Sequence, residues 1–381
     1  MIDITTFRGH FAKTTQQGIF FDNASMGPVA PAVTQAMTDC MQLREKMPMK
    51  YYQYAENLFP ACRSKLAQWI GAQPEELAWT ENVAYGINTV ANALPLRTGD
   101  NIILCDREFA SNVYPWMNLE HSRGVEVRRV PNDGGGLTVE LLHKYADEHT
   151  RVVATSSVQF SDGFATDLEA ISAWCKTQGA FLVVDCAQSL GVLPMDVKRF
   201  GIDCMAGLSA KWLLGPFATG FLYVRKELIS QLHPPFVGAD SVVGDVDSVG
   251  YDFILKSDAQ RFESGLPNAP GIAGLYASLC LMDEVGRDVI ATQSREVSGY
   301  LRDGLLSMGV SVADCAKTEE HRSSIISFSV PELTQVYTKL RQRKIACSVR
   351  CGLIRMGIHG YNTKAEVDVV LSTLREIIKQ G

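Results

Sequence analysis

Apolar residues in the first two thirds of the chain come in short runs separated by longer amphipathic stretches. The runs are Asn101-Ile-Ile-Leu-Cys105, Val125-Glu-Val-Arg-Arg-Val130, Arg151-Val-Val-Ala-Thr155, Phe181-Leu-Val-Val184 and Gly220-Phe-Leu-Tyr-Val224. Runs this short and this apolar suit strands buried on both faces. The intervening stretches have helical spacing. From Asp167 to Gln178, Leu168, Ile171, Trp174 and Cys175 share one face. After Asn82, a residue suited to capping a helix start, Val83, Ile87, Val90 and Leu94 do the same. Strands alternating with helices over roughly residues 75–225 predict a mainly parallel sheet covered on both sides. Ligands bind such sheets beyond the carboxyl ends of the strands, so the loops that follow them are where chemistry is expected.

Beyond about residue 265 the pattern changes to helices with few strands. Ile325-Ile-Ser-Phe-Ser-Val330 alternates as a half-buried strand does. The last helix opens on Thr363-Lys-Ala-Glu366, a capping box, and carries Val367, Val370, Leu371, Leu374 and Ile378 as an apolar stripe. Gly265-Leu-Pro267 and Ala269-Pro-Gly271 punctuate the change. The expected organisation is a large α/β domain over 15–265 and a smaller α+β domain over 266–381, which the N-terminal arm 1–14 joins. Asn132-Asp-Gly-Gly-Gly136 has the composition of a surface turn.

Bulk properties narrow the function classes. The 381 residues suffice for two domains with a sizeable core. A net charge of −6 gives no electrostatic case for nucleic acid or an anionic membrane. No apolar run approaches the roughly 20 residues of a membrane span, and Met1-Ile2-Asp3-Ile4 does not resemble a secretory signal. The ten cysteines are scattered; the closest are Cys347 and Cys351, and no metal-ligand spacing occurs. Buried free thiols in a reducing cytoplasm are expected.

Five segments carry candidate chemistry. Val183-Val-Asp185-Cys-Ala-Gln188 ends an apolar strand in an acid, as a helix cap or as a carboxylate facing the ligand crevice. Gly207-Leu-Ser-Ala-Lys211-Trp-Leu-Leu-Gly215-Pro216 sets a lone lysine among apolar and small residues, as a surface lysine or as a buried amine of lowered pKa. The helix start at Asn82-Val83-Ala84 offers free N–H groups to an anion, as such starts commonly do. Phe109, after the strand ending at Cys105, is a core aromatic or a ring positioned to stack on a flat ligand. Arg355, in the apolar Gly352-Leu-Ile-Arg-Met-Gly357, pairs within the domain or clamps a carboxylate.

In this order the segments resemble the class V aminotransferase superfamily, fold-type I enzymes that use pyridoxal phosphate and include cysteine desulfurases, selenocysteine lyases, isopenicillin-epimerase-like proteins and kynureninases. The likeness spans nearly the whole chain. It rests on Phe21-Asp-Asn-Ala24, Asp185-x-Ala-Gln188, Lys211-Trp-Leu-Leu-Gly-Pro216, Arg261-Phe-Glu-x-Gly265-x-Pro-Asn268 and Arg355 with Tyr361-Asn-Thr363. The resemblance implies a seven-stranded, mainly parallel sheet and a homodimer with its sites at the subunit interface. It implies that Lys211 holds the cofactor covalently and moves the α-proton, and that Asp185 pairs with the ring nitrogen. It places Gln188 on the ring oxygen, Phe109 over the ring, the Val83 and Ala84 backbone at the phosphate and Arg355 on the substrate carboxylate. Gln159 is placed near the ring oxygen or the substrate.

The chain departs from that pattern in two places. Threonines common at the phosphate loop are Val83 and Ala84 here, the histidine often found before the lysine is Ala210, and a threonine that reaches across the dimer is Leu266; Ser209 and backbone groups are the expected substitute donors. The loop that carries the nucleophilic cysteine of desulfurases is nearly absent, since only Cys351-Gly-Leu-Ile354 separates Arg350 from Arg355. The implied activity is a C–S or C–Se β-lyase acting on an L-amino acid, with Cys351 a packed thiol. Transamination, epimerisation and cofactor binding without turnover are the alternatives; a kynureninase-type cleavage has only Phe109 in its favour.

Overall fold

The computed structural model describes residues 2–132, 135–244 and 251–379. Met1 and the tip of the expected turn at Asp133 and Gly134 lie outside them. Seven strands form the main sheet: β1 (Leu77–Thr80), β2 (Asn101–Cys105), β3 (Glu126–Val130), β4 (Thr150–Ser156), β5 (Phe181–Asp185), β6 (Cys204–Leu208) and β7 (Gly220–Val224). Their order across the sheet is β1-β7-β6-β5-β4-β2-β3, and β7 runs opposite to the other six. The fold is the α/β architecture expected.

The short apolar runs are explained by burial on both faces. Ile103, Val153, Leu182, Val184 and Met205 face one apolar core. Ile102, Leu104, Val152, Ala154, Val183 and Ala206, alternating with them, face another. β1 and β6 were not among the expected strands, because Leu-Ala-Trp-Thr and Cys-Met-Ala-Gly-Leu are short and carry little β-branched signal. The helix Val83–Ala93 packs directly on β6: a Cβ on Gly86 would come within 2.8 Å of the Ala206 Cβ. That closeness sets the helix start against the carboxyl end of the sheet.

A second sheet combines β8 (Ile325–Phe328), β9 (Ser348–Arg350) and β10 (Leu353–Gly357), all antiparallel, in the order β9-β10-β8. The helix Lys364–Lys379 covers it, capped as expected by Thr363 and Glu366. Its stripe ends on buried Ile377, with Ile378 only partly covered. β8 departs from expectation more clearly. All four of its residues are buried, because the side expected to face solvent meets the loop after β4. The Ser327 hydroxyl donates there to the Ser161 carbonyl at 2.9 Å. The expected domain boundary at 265 falls just before the helix Ala269–Val285, whose buried residues join the core of the large sheet. A separate third core gathers Val297, Leu301, Phe328, Ile354, Val367 and Leu374 with Phe21 from the start of the chain. Among the described residues no helix is long and apolar enough to cross a membrane.

Candidate active site

The carboxyl ends of the parallel strands converge on Lys211. The amine follows β6 within a turn in which the Leu214 N–H donates to the Lys211 carbonyl at 3.1 Å. Leu214 and Ala218, flanking Gly215-Pro216, both sit at φ 52°, the left-handed region that non-glycine residues seldom occupy. Burial holds the Lys211 amine at about 8, below its usual 10.5. The Asp185 charge opposes this shift, and Arg355 and Arg350 add to it. Asp185 ends β5 and accepts the Ala187 N–H at 2.8 Å; burial raises its pKa, and that N–H and Lys211 lower it. Lys211 Nζ stands 5.5 Å from the centroid of the Phe109 ring.

Gln188 lies beneath Trp212. Its Nε2 donates to the Ala24 carbonyl at 3.0 Å, and its Oε1 accepts the Trp212 indole N–H at 2.9 Å. Since the indole only donates, the amide is fixed in one orientation with one N–H left over. At the helix start, the Asn82 side chain caps Tyr85 at 2.9 Å. The N–H groups of Val83 and Ala84 have no partner among the described residues. The Val83 side chain itself belongs to the core, so only its backbone is available to a ligand. Ser209 does not supply the expected extra donor. Its hydroxyl donates to the Pro216 carbonyl and its N–H to the Thr219 carbonyl at 2.9 Å, which leaves no hydrogen for a phosphate.

Arg355 enters from β10. It is 1% exposed and donates to Ser348 Oγ at 3.2 Å, the Phe160 carbonyl at 2.7 Å and Ser25 Oγ at 2.8 Å; Asp22 stands 3.9 Å away. Burial and the Arg350 charge draw its pKa down to about 10. Asp22 is at the outer edge of ion-pair distance and makes no hydrogen bond to the guanidinium. Cys351 and Gly352 form the two-residue turn between β9 and β10, with φ 48° and 79° and Arg350 paired to Leu353. Cys351 is not the packed thiol expected: it is exposed at the tip of a closed hairpin, where the turn points its side chain away from the core.

Several contacts lay outside the sequence reading. Glu108 is buried and ringed by donors from Ser156, Asn112 and Gln159. Ser25 accepts from Arg355 at 2.8 Å and from Arg350 at 3.5 Å. Arg63 and Glu263 form a buried ion pair at 2.7 Å. The Asn112–Glu108 contact is local, four residues apart; the others join segments far apart in the chain. Some quoted motifs have structural partners, too. The Tyr361 hydroxyl donates to Asn23 Oδ1 at 2.7 Å, tying the two ends of the chain together.

These residues fit pyridoxal phosphate. A desolvated amine, a buried carboxylate, a ring face, unpartnered N–H groups and the unpartnered buried Gln159 Oε1 all stand at the same strand ends. Comparison with known proteins agrees. The Aminotransferase class-V family profile matches residues 19–370. A probable cysteine desulfurase of Pyrococcus abyssi is 29% identical over 96% of this chain and 95% of its own. The apo structure of a cysteine desulfurase from Thermococcus onnurineus superposes with a TM-score of 0.90 at 26% identity, covering 100% of this chain and 99% of that one. The cystine C–S lyase C-DES, in complex with its product cysteine persulfide, gives a TM-score of 0.87 at 25% identity over 93% and 96% of the two chains.

Proposed function

The chain belongs to the aminotransferase class-V family, and on that premise we propose that it is a pyridoxal phosphate enzyme that releases sulfur or selenium from an L-amino acid by β-elimination. When bound, the cofactor supplies an electron sink that acidifies the α-carbon of an attached amino acid. Lys211 would hold it and take up the α-proton, a role suited to an amine near pKa 8. Asp185 would keep the ring nitrogen protonated, with Phe109 over the ring face. The Val83 and Ala84 N–H groups would receive the phosphate. The spare Gln188 N–H and Gln159 would meet the ring oxygen or the substrate, and Arg355 would bind the substrate carboxylate.

The observation that carries elimination, rather than transfer of sulfur to a cysteine, is the closed hairpin at Cys351. A two-residue turn whose flanking residues pair as Arg350 with Leu353 has no slack to bring a thiol to a substrate. A leaving group that departs unaided fits that arrangement, and the likeness to a cystine C–S lyase supports it. The test is a product assay over cysteine, cystine, selenocysteine and non-sulfur amino acids, scoring sulfide, persulfide, pyruvate and keto acids. Pyruvate with released sulfur or selenium is expected. Keto acid from non-sulfur amino acids alone would replace elimination by transamination.

The exposed apolar side chains Met26, Tyr114, Phe217, Phe236 and Leu266 support a homodimer; Leu266 is 80% exposed and Phe217 65%. Sedimentation of the holoenzyme at twice the chain mass is the expected result. All ten cysteines are unpaired, which supports a reducing, cytoplasmic setting.

A further inference from the structure

Glu108 precedes Phe109 and lies 6% exposed beneath the candidate site. It accepts the Ser156 N–H at 2.7 Å and the Asn112 Nδ2–H at 3.1 Å, together with the Ser156 hydroxyl and the Gln159 Nε2–H. The direction of two of these bonds is fixed by chemistry. A backbone N–H only donates. Asn112 must turn its Nδ2 toward Glu108, because its Oδ1 accepts the Trp116 indole N–H at 3.3 Å. Burial raises the Glu108 pKa, and the donors from Ser156, Asn112 and Gln159 counter it. Both of its oxygens already accept a fixed donor, the Ser156 N–H on one and the Asn112 Nδ2–H on the other, as a carboxylate does. A carboxylate has only acceptors, so Gln159 must present its Nε2 to Glu108. Its Oε1 is thereby turned the other way. That oxygen is buried without a partner, on a side chain that is 0% exposed. A buried acceptor left unpaired is destabilising, so the position calls for a hydrogen donor.

We propose that Glu108 is a positioning residue that locks the Gln159 amide with its oxygen toward the ligand, so that this point of the site accepts a proton-bearing group of the bound cofactor or substrate and disfavours an anionic oxygen there. The inference rests on the pyridoxal phosphate reading above. Other charges around the site are Lys211, Asp185, Arg350, Arg355 and Asp22; the Cys105 thiol is near Glu108, and the Asp106 and Asp162 carboxylates act on that thiol too. Glu108→Gln leaves these in place. It removes one buried negative charge and supplies an N–H that lets the Gln159 amide turn over. Both changes favour loss of the ligand proton.

The test is a pH titration of the visible absorbance of the holoenzyme, first without substrate and then with glycine as a non-reacting amino acid. Glu108→Gln is expected to lower the titration midpoint by about one pH unit or more, corresponding to about 1.4 kcal/mol. The same substitution placed on Gln159→Met should shift the midpoint by less, since only the loss of the buried charge remains and the amide that Glu108 orients is gone. A shift without glycine assigns the proton to the cofactor; a shift only with glycine assigns it to the substrate. An unmoved midpoint in a folded Glu108→Gln holoenzyme overturns the proposal, as does an equal shift on the Gln159→Met background. If Glu108→Gln does not fold, Gln159→Met alone decides: loss of the acceptor must lower the midpoint. Wild-type protein that takes up no cofactor would overturn the pyridoxal phosphate reading instead.

Discussion

Lys211 Nζ stands 5.5 Å from the centre of the Phe109 ring, on the face of the aromatic rather than its edge contacts with Phe160. A flat ring attached to Lys211 would stack against the same surface. Phe109→Ala should weaken pyridoxal phosphate binding by roughly threefold to tenfold, the range for one aromatic pair of about 0.5–1.5 kcal/mol. Phe109→His should retain most of the affinity. Equilibrium titration of the apo-protein measures both.

The Lys211 pKa of about 8 has two consequences. Cofactor capture needs the neutral amine. The rate of pyridoxal phosphate uptake by the apo-protein should therefore rise with pH, with a midpoint near 8. A midpoint at the ordinary lysine value of 10.5 would show that the amine is not desolvated. Stability depends on the same amine. Between pH 8 and 10.5 the unfolded chain holds a proton that the folded one has lost, so apo-protein stability rises with pH across that window. Lys211→Met should stabilise the apo-protein at neutral pH by on the order of 1–3 kcal/mol and remove the dependence. Denaturant titrations at a series of pH values check this.

Arg355 holds Ser25, Ser348 and the Phe160 carbonyl while leaving charge to spare. Arg355→Lys keeps a cation but loses the fork. It should raise KM for amino acids by on the order of tenfold to hundredfold, equivalent to a charged hydrogen bond of about 1.5–3 kcal/mol. The bound pyridoxal phosphate per chain should not change. Loss of cofactor instead would reassign the arginine to it.

Cys351 occupies φ 48°, where asparagine and glycine are favoured. Cys351→Asn should raise stability by about 0.5–1 kcal/mol and leave sulfur release within twofold of the parent. Thermal melting and the sulfide assay read the two effects. Collapse of sulfur release would make Cys351 a nucleophile after all.

Local pattern was enough for most of the large sheet and for the last helix, whose cap and stripe lie within one segment. It was enough for Lys211, Asp185 and Phe109 as candidates, because each follows a recognisable strand or lies in a motif. Burial on both faces leaves an apolar run in the sequence, and a helix start leaves a cap. Such signals are written in consecutive residues.

The rest depended on which segments meet. Ile325–Phe328 alternates like a solvent-facing strand, yet a loop some 160 residues earlier covers its polar side, with Ser327 bonded to Ser161. Ser209 reads in the sequence as a free hydroxyl for a phosphate, but in the fold its hydroxyl is bonded to the Pro216 carbonyl. Glu108 is unremarkable in Arg107-Glu-Phe109; its environment is made by Asn112, Ser156 and Gln159. Hydrogen-bond satisfaction is a property of three-dimensional neighbours. The sequence by itself determined the sheet, the helix starts and the residues able to carry the chemistry. Only the tertiary structure decided which donors are already committed, which acceptor is left open, and which way the amides face.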